Sequence, residues 1–109
     1  MFNLFKSLFK NEAYENLQAT EFMAKANDTP DAVLLDVRTP VEVAAGKLQG
    51  AQNIDFQSNS FATAIGKLDK DKTYFVYCRS GVRSANACRK MHEMGFTKLF
   101  NLSGGYLSV

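Results

Sequence analysis

Two apolar runs constrain this chain more than anything else in it. Ala32-Val33-Leu34-Leu35-Asp36-Val37 carries an acid near its end, and Thr73-Tyr74-Phe75-Val76-Tyr77 runs into a cysteine, Cys78. Neither alternates apolar with polar residues, as a strand with one wet face would. Unbroken runs suit strands buried on both faces, the condition of a parallel sheet covered by helices. The intervening segments supply those helices. Thr20 to Lys25 reads as a first helix, with Phe22 and Met23 as core contacts. Pro40 opens a second that closes at Gly46. Ser60 to Leu68 and Val82 to Met94 read as two more, the last stopped by Gly95. Short strands are expected at Tyr14 to Leu17, Ala51 to Ile54 and Lys98 to Leu102, with turns at Asn27 to Asp31 and Lys70 to Lys72. Strands alternating with helices predict an α/β fold with a mostly parallel sheet and right-handed crossovers.

In such sheets, ligands meet the chain beyond the C-terminal ends of the strands. Asp36, Val37 and Arg38 fall at the end of one central run, and Cys78 at the end of the other. Arg79-Ser80-Gly81-Val82-Arg83-Ser84 follows Cys78 and leads into the helix. The loop amides and the helix N-terminus then converge on one point and make it electropositive. A thiol held there is stabilised as thiolate, the nucleophilic form. Arg79 and Arg83 add full positive charge beside it. An isolated cysteine is more simply read as a buried strand-end residue, since free Cys is among the most buried residue types. The glycine three residues on and the two arginines within five reverse that preference here.

Composition removes several other classes. Of 109 residues, 46% are hydrophobic and 22% charged, the balance of an ordinary globular domain. A net charge of +2, spread along the chain, argues against a nucleic-acid partner. Cys78 and Cys88 are too few for a disulfide scaffold and too far apart for a C-x-x-C pair. With one histidine, His92, no metal site assembles from the sequence. No apolar run approaches the ~18–20 residues of a membrane span. Met1 to Lys10 is apolar but broken by lysines, without a signal-peptide core or cleavage site, so a cytoplasmic location is expected. In that stretch Phe2, Leu4, Phe5, Leu8 and Phe9 recur at helical spacing. A helix packed on its own domain or on a partner subunit is favoured over a weak membrane anchor, and no stable membrane insertion is expected. The chain thus divides into an apolar and basic extension over 1–12 and one domain over 13–109.

Four segments of that domain resemble the rhodanese family of sulfurtransferases. Leu34-Leu35-Asp36-Val37-Arg38 with Glu42 is similar to the family's L-[IL]-D-V-R-x-x-x-E segment. Gly46 to Ile54 is similar to G-H-I-x-G-A-x-N-I, and Cys78 to Ser84 to the loop C-R-S-G-x-R-S. Leu102-Ser103-Gly104-Gly105-Tyr106 resembles the C-terminal L-x-G-G segment. Two positions depart from the pattern: Lys47 stands where a histidine is usual, and Val109 near a usual tryptophan.

The resemblance implies a three-layer fold with a central five-stranded sheet. It also implies an enzyme in which Cys78 takes the outer sulfur of a small anionic donor such as thiosulfate. The resulting persulfide passes that sulfur to cyanide, a thiol or a protein acceptor, with no cofactor. Arg79 and Arg83 would attract and orient the donor, and Arg83 has a second role open to it, bracing the loop. Arg79, Ser80, Gly81, Val82, Arg83 and Ser84 would form the substrate-binding loop, with Ser84 equally readable as a helix-start residue. Cysteine phosphatases share the design with five residues between Cys and Arg. Here there are four, and the tighter loop favours a sulfur atom over a phosphate. Family members that only bind normally lack the cysteine, so the intact loop argues against a purely non-catalytic module. Arg38 is expected to support the site by bridging to Glu42, while Asp36 is open to either role, taking part in the chemistry or holding the active loop in shape without touching substrate. Cys88 is expected in the core and His92 on a solvated helix face.

Overall fold

The computed structural model describes residues 13–109, and the extension expected over 1–12 lies outside the described residues. Strands Glu15–Leu17 (β1), Ala32–Asp36 (β2), Gln52–Asn53 (β3), Thr73–Tyr77 (β4) and Leu99–Leu102 (β5) form one sheet in the order β1-β5-β4-β2-β3. Every pairing is parallel. Helices Ala19–Asp28 (α1), Pro40–Ala44 (α2), Phe61–Gly66 (α3) and Val82–Glu93 (α4) connect the strands, and a 3₁₀ turn over Tyr106–Ser108 follows β5.

Both apolar runs form strands inside the sheet; β4 is covered on both faces, while Ala32, Val33 and Leu34 of β2 are half-buried. β4 lies between β2 and β5 and is buried at each of its positions. Its side chains divide between two cores. Tyr74 and Val76 face a cluster that includes Phe61 and Ile65 of α3, Ala87, Cys88 and Met91 of α4, and Cys78 itself. Phe75 and Tyr77 face the opposite cluster, with Leu17, Phe22 of α1, Leu48, Ala51 and Leu102. The fold is therefore three layers, and the period of two along β4 aims Cys78 at the helix that follows it.

Local chemistry explains where the elements stop. Pro40 is the first residue of α2, and Thr39 and Glu42 cap it reciprocally. Gly95 adopts φ +102° after α4, which lets the Phe96 amide bond the Met91 carbonyl at 3.0 Å. The chain so turned drops Phe96 into the core, edge-on to Tyr74 at 5.4 Å. Asn53 donates to the carbonyls of Asp36 and Arg38, both at 2.9 Å, and so ties β3 to the end of β2.

Several expected boundaries move. α1 extends through Asp28, and the Thr29 hydroxyl donates back to the Lys25 carbonyl at 2.7 Å, so the turn expected at Asn27 begins later. Met23 is 38% exposed rather than in the core, because one turn of α1 presents only Phe22 to the sheet. α3 is shorter than Ser60 to Leu68, since Ser58 and Ser60 bond one another and hold the preceding turn.

Candidate active site

Cys78 follows the last residue of β4, and its side chain reaches the start of α4. The sulfur accepts the Gly81 amide at 3.1 Å, the Ser84 amide at 3.3 Å and the Ser84 hydroxyl at 3.3 Å. Gly81 precedes α4 with φ +102° and offers the helix no side-chain cap. The Cys78 sulfur occupies the place of that cap, satisfying one of the amides a helix N-terminus leaves open. A sulfur carrying charge suits this role better than a neutral one. Burial pushes the thiol up. The Ser84 hydroxyl and the amides of Ser84, Gly81 and Ser80 together outweigh it and hold Cys78 below the ordinary thiol range.

The sulfur lies on the floor of this cradle, not at its mouth. Cys78 is 0% exposed, and Arg79 and Ser80 form the exposed rim above it. Ser84 sits inside the first turn of α4, wholly buried, and so serves the sulfur rather than starting the helix. Val82 is the opposite case, an exposed side chain whose contribution to the loop is its backbone.

The two charged pairs are not those the spacing suggests. Arg38 does not reach Glu42. It folds back on Asp36, with Nε at 3.0 Å and Nη2 at 2.7 Å from the two carboxylate oxygens, and Nη2 also donates to the Gly46 carbonyl at 2.7 Å. Glu42 instead takes both Nη atoms of Arg83, at 2.7 and 2.9 Å. The guanidinium holds the Glu42 carboxyl down at about 2, with burial opposing and Thr39 assisting. Arg83 is therefore committed to a carboxylate across the loop, which favours bracing over donor capture. The four-residue spacing from Arg38 to Glu42 suggested a local pair. The structure prefers Asp36 because that acid is fully buried and needs a cation at hand.

The C-terminal segment forms the outer wall of the loop, a contact that residue spacing along the chain does not announce. Tyr106 donates its amide to the Cys78 carbonyl at 2.8 Å, and Leu107 donates to the Arg79 carbonyl at 3.1 Å. The Arg38 guanidinium lies over both the Tyr106 ring, at 4.3 Å, and the Tyr77 ring, at 5.6 Å, whose centroids are 6.1 Å apart. The glycines of Leu102 to Tyr106 were the available signal, since paired glycines mark a close backbone approach. Lys47, at the position of the usual histidine, donates to the Ala51 carbonyl at 3.2 Å, and Val109 is 59% exposed.

The remaining candidates stand apart. Cys88 is buried on α4, where burial pushes its thiol far up and leaves it unreactive. His92 is exposed. Among the described residues no cluster of ligating side chains could hold a metal ion, and no helix is long and apolar enough to cross a membrane.

Comparison with known proteins agrees with this geometry. The model of the rhodanese-like domain matches residues 18–109. A sulfurtransferase of Allochromatium vinosum is 35% identical over 81 residues, covering 74% of each chain. The Bacillus subtilis protein YtwF, which carries a sulfurtransferase name, is 41% identical over 75 residues, 69% of this chain and 70% of its own. Among solved structures, a rhodanese-related protein of Thermoplasma volcanium superposes with a TM-score of 0.75 at 27% identity, covering 87% of this chain and 89% of that one. Its parallel sheet, its strand-end cysteine loop and the reach of the matching model place this chain in the rhodanese family.

Proposed function

We propose that the protein is a sulfurtransferase that carries sulfane sulfur on Cys78. The observation that carries this reading is the cradle of amides and hydroxyl around the Cys78 sulfur, which holds the thiol below its ordinary pKa. A preformed thiolate needs no general base. It attacks the outer sulfur of an anionic donor such as thiosulfate. The donor's S–S bond breaks, sulfite leaves with the electron pair, and Cys78 becomes a persulfide. In the second half a nucleophile attacks the outer sulfur and the Cys78 thiolate departs. Cyanide, a low-molecular-weight thiol and a protein thiol are all acceptors of this type. The sulfurtransferase names of the relatives support the reaction class.

The roles divide by position. The amides of Ser80, Gly81 and Ser84 stabilise anionic sulfur without having to reorganise during the reaction. Arg79, exposed on the rim, draws the donor in. The donor approaches from the rim at Arg79 and Ser80, the exposed side of the cradle over the buried Cys78. A reducing compartment such as the cytoplasm suits an enzyme that must return to a free thiolate. The test is intact mass after incubation with thiosulfate. The protein should gain the mass of one sulfur atom, Cys78→Ala should gain none, and addition of cyanide should restore the original mass with release of thiocyanate. Sulfur uptake that survives in Cys78→Ala would overturn the assignment.

A further inference from the structure

We infer that the C-terminal segment Gly104–Val109 sets the chemistry of the Cys78 sulfur by fixing the direction of the loop's peptide planes. This rests on the reading of Cys78 as a thiolate nucleophile. In a planar trans peptide, the carbonyl of one residue and the N–H of the next point in opposite directions. Whatever pins the carbonyl therefore aims the N–H. The Leu107 amide holds the Arg79 carbonyl on the outer side at 3.1 Å. The other end of that peptide is the Ser80 amide, which favours the charged sulfur, and the next amide along, that of Gly81, bonds the sulfur at 3.1 Å. The Tyr106 amide holds the Cys78 carbonyl at 2.8 Å and fixes the preceding peptide in the same way. Asn101 of β5 donates to the Gly81 carbonyl at 3.3 Å, so Gly81, whose N–H bonds the sulfur, is held at both its amide and its carbonyl.

Two glycines make this contact possible. A Cβ on Gly105, at φ +67°, would run into the Arg79 carbonyl and the Ser80 nitrogen. A Cβ on Gly81 would run into the Ser103 carbonyl. Loop and segment thus meet backbone to backbone, with no side chain between them. Asn101 is 2% exposed, and its Nδ2 serves both Asn16 and the Gly81 carbonyl.

Tyr106 anchors the segment, and this gives Asp36 and Arg38 their place. Neither touches the sulfur. Asp36 fixes Arg38, Arg38 lies over the Tyr106 ring, and Tyr106 holds the Cys78 carbonyl. All three are positioning residues.

The experiment compares Leu107→Pro with Leu107→Ala. Leu107 is 64% exposed, so both substitutions remove a side chain that packs little. Only proline removes the amide; because it also restricts Tyr106 before it, Tyr106→Ala is measured beside it. Iodoacetamide alkylation is followed against pH, with Cys78→Ser as the blank. Leu107→Ala should titrate like the parent. Leu107→Pro should titrate at higher pH, with alkylation below the parent's midpoint slowed about threefold or more. Tyr106→Ala, which keeps every amide but loses the anchor, should shift in the same direction if Leu107→Pro does not fold. Equal midpoints for Leu107→Pro and Leu107→Ala, or an unmoved Tyr106→Ala, would overturn the inference. If the parent itself titrates as a free thiol, the thiolate reading fails instead, a different result that the same titration separates.

Discussion

At the scale of single residues, the Glu42–Arg83 pair shows how the site trades binding for rigidity. Glu42 has a folded pKa of about 2 against an ordinary 4.5, so it binds protons less readily in the folded state. Its contribution to stability is therefore complete above the ordinary value and disappears as pH falls through about 2. The pair is about one quarter exposed, with side chains at 23% and 26%, so screening reduces the figure the shift alone would imply. Glu42→Gln should cost about 1–2 kcal/mol near neutral pH and progressively less in acid, measured by urea unfolding across pH. A cost independent of pH would mean that packing, not charge, is what Glu42 supplies. Arg79 is the contrasting case. It is exposed and in no ion pair among the described residues. Arg79→Ala should raise KM for thiosulfate by about tenfold or less and leave kcat near the parent value, which steady-state kinetics would show. A fall in kcat of the same size would place Arg79 in the transition state rather than at the entrance. These charge pairings were the part the sequence hid. Asp36, Arg38, Glu42 and Arg83 are all visible in it, but which acid meets which base depends on burial and on two loops meeting, and spacing along the chain carries neither.

At the scale of elements, the sequence was far more legible. The runs at Ala32 and Thr73 announced β2 and β4, because strands inside a helix-covered sheet leave little room for polar alternation, although only β4 is buried at every position. Boundaries were harder where a single side-chain bond decides them, as Thr29 does for α1 and Ser58 for α3. The loop was visible as residues but not as a contact. Gly81 could be read as permitting a turn. That it also lies against the Ser103 carbonyl could not, because Ser103 is 22 residues further along the chain, beyond β5. Gly81→Ala tests the contact. It places a side chain at φ +102° and into backbone that cannot swing away, so a loss of about 2–4 kcal/mol is expected in chemical unfolding. A loss under about 1 kcal/mol, the ordinary cost of a positive φ alone, would show that the loop and the C-terminal segment part easily.

At the scale of the whole molecule, the parallel sheet separates stability from chemistry. Every strand points the same way, so the groups that meet the Cys78 sulfur come from strand ends and the loops beyond them, while most buried apolar volume lies on the two faces between. Phe22 illustrates the second kind of residue. It is 0% exposed on α1, packs edge-on to Phe75 at 5.5 Å, and belongs to the cluster on the sheet face away from α4. Phe22→Ala should lower stability by about 3–5 kcal/mol, through lost burial and the cavity left behind. That is a large share of the ~5–15 kcal/mol typical of a domain, so the variant should melt early but remain mostly folded at low temperature. The alkylation midpoint of Cys78 in the folded variant should equal the parent's. No group that bonds the sulfur or its neighbouring carbonyls is on α1. The comparison requires a melting curve and a thiol titration on the same preparation, held well below the melting temperature. A midpoint that rises along with the loss of stability would mean that the cradle is held by the core as one cooperative unit, and the clamp by the C-terminal segment would then be insufficient to fix the site.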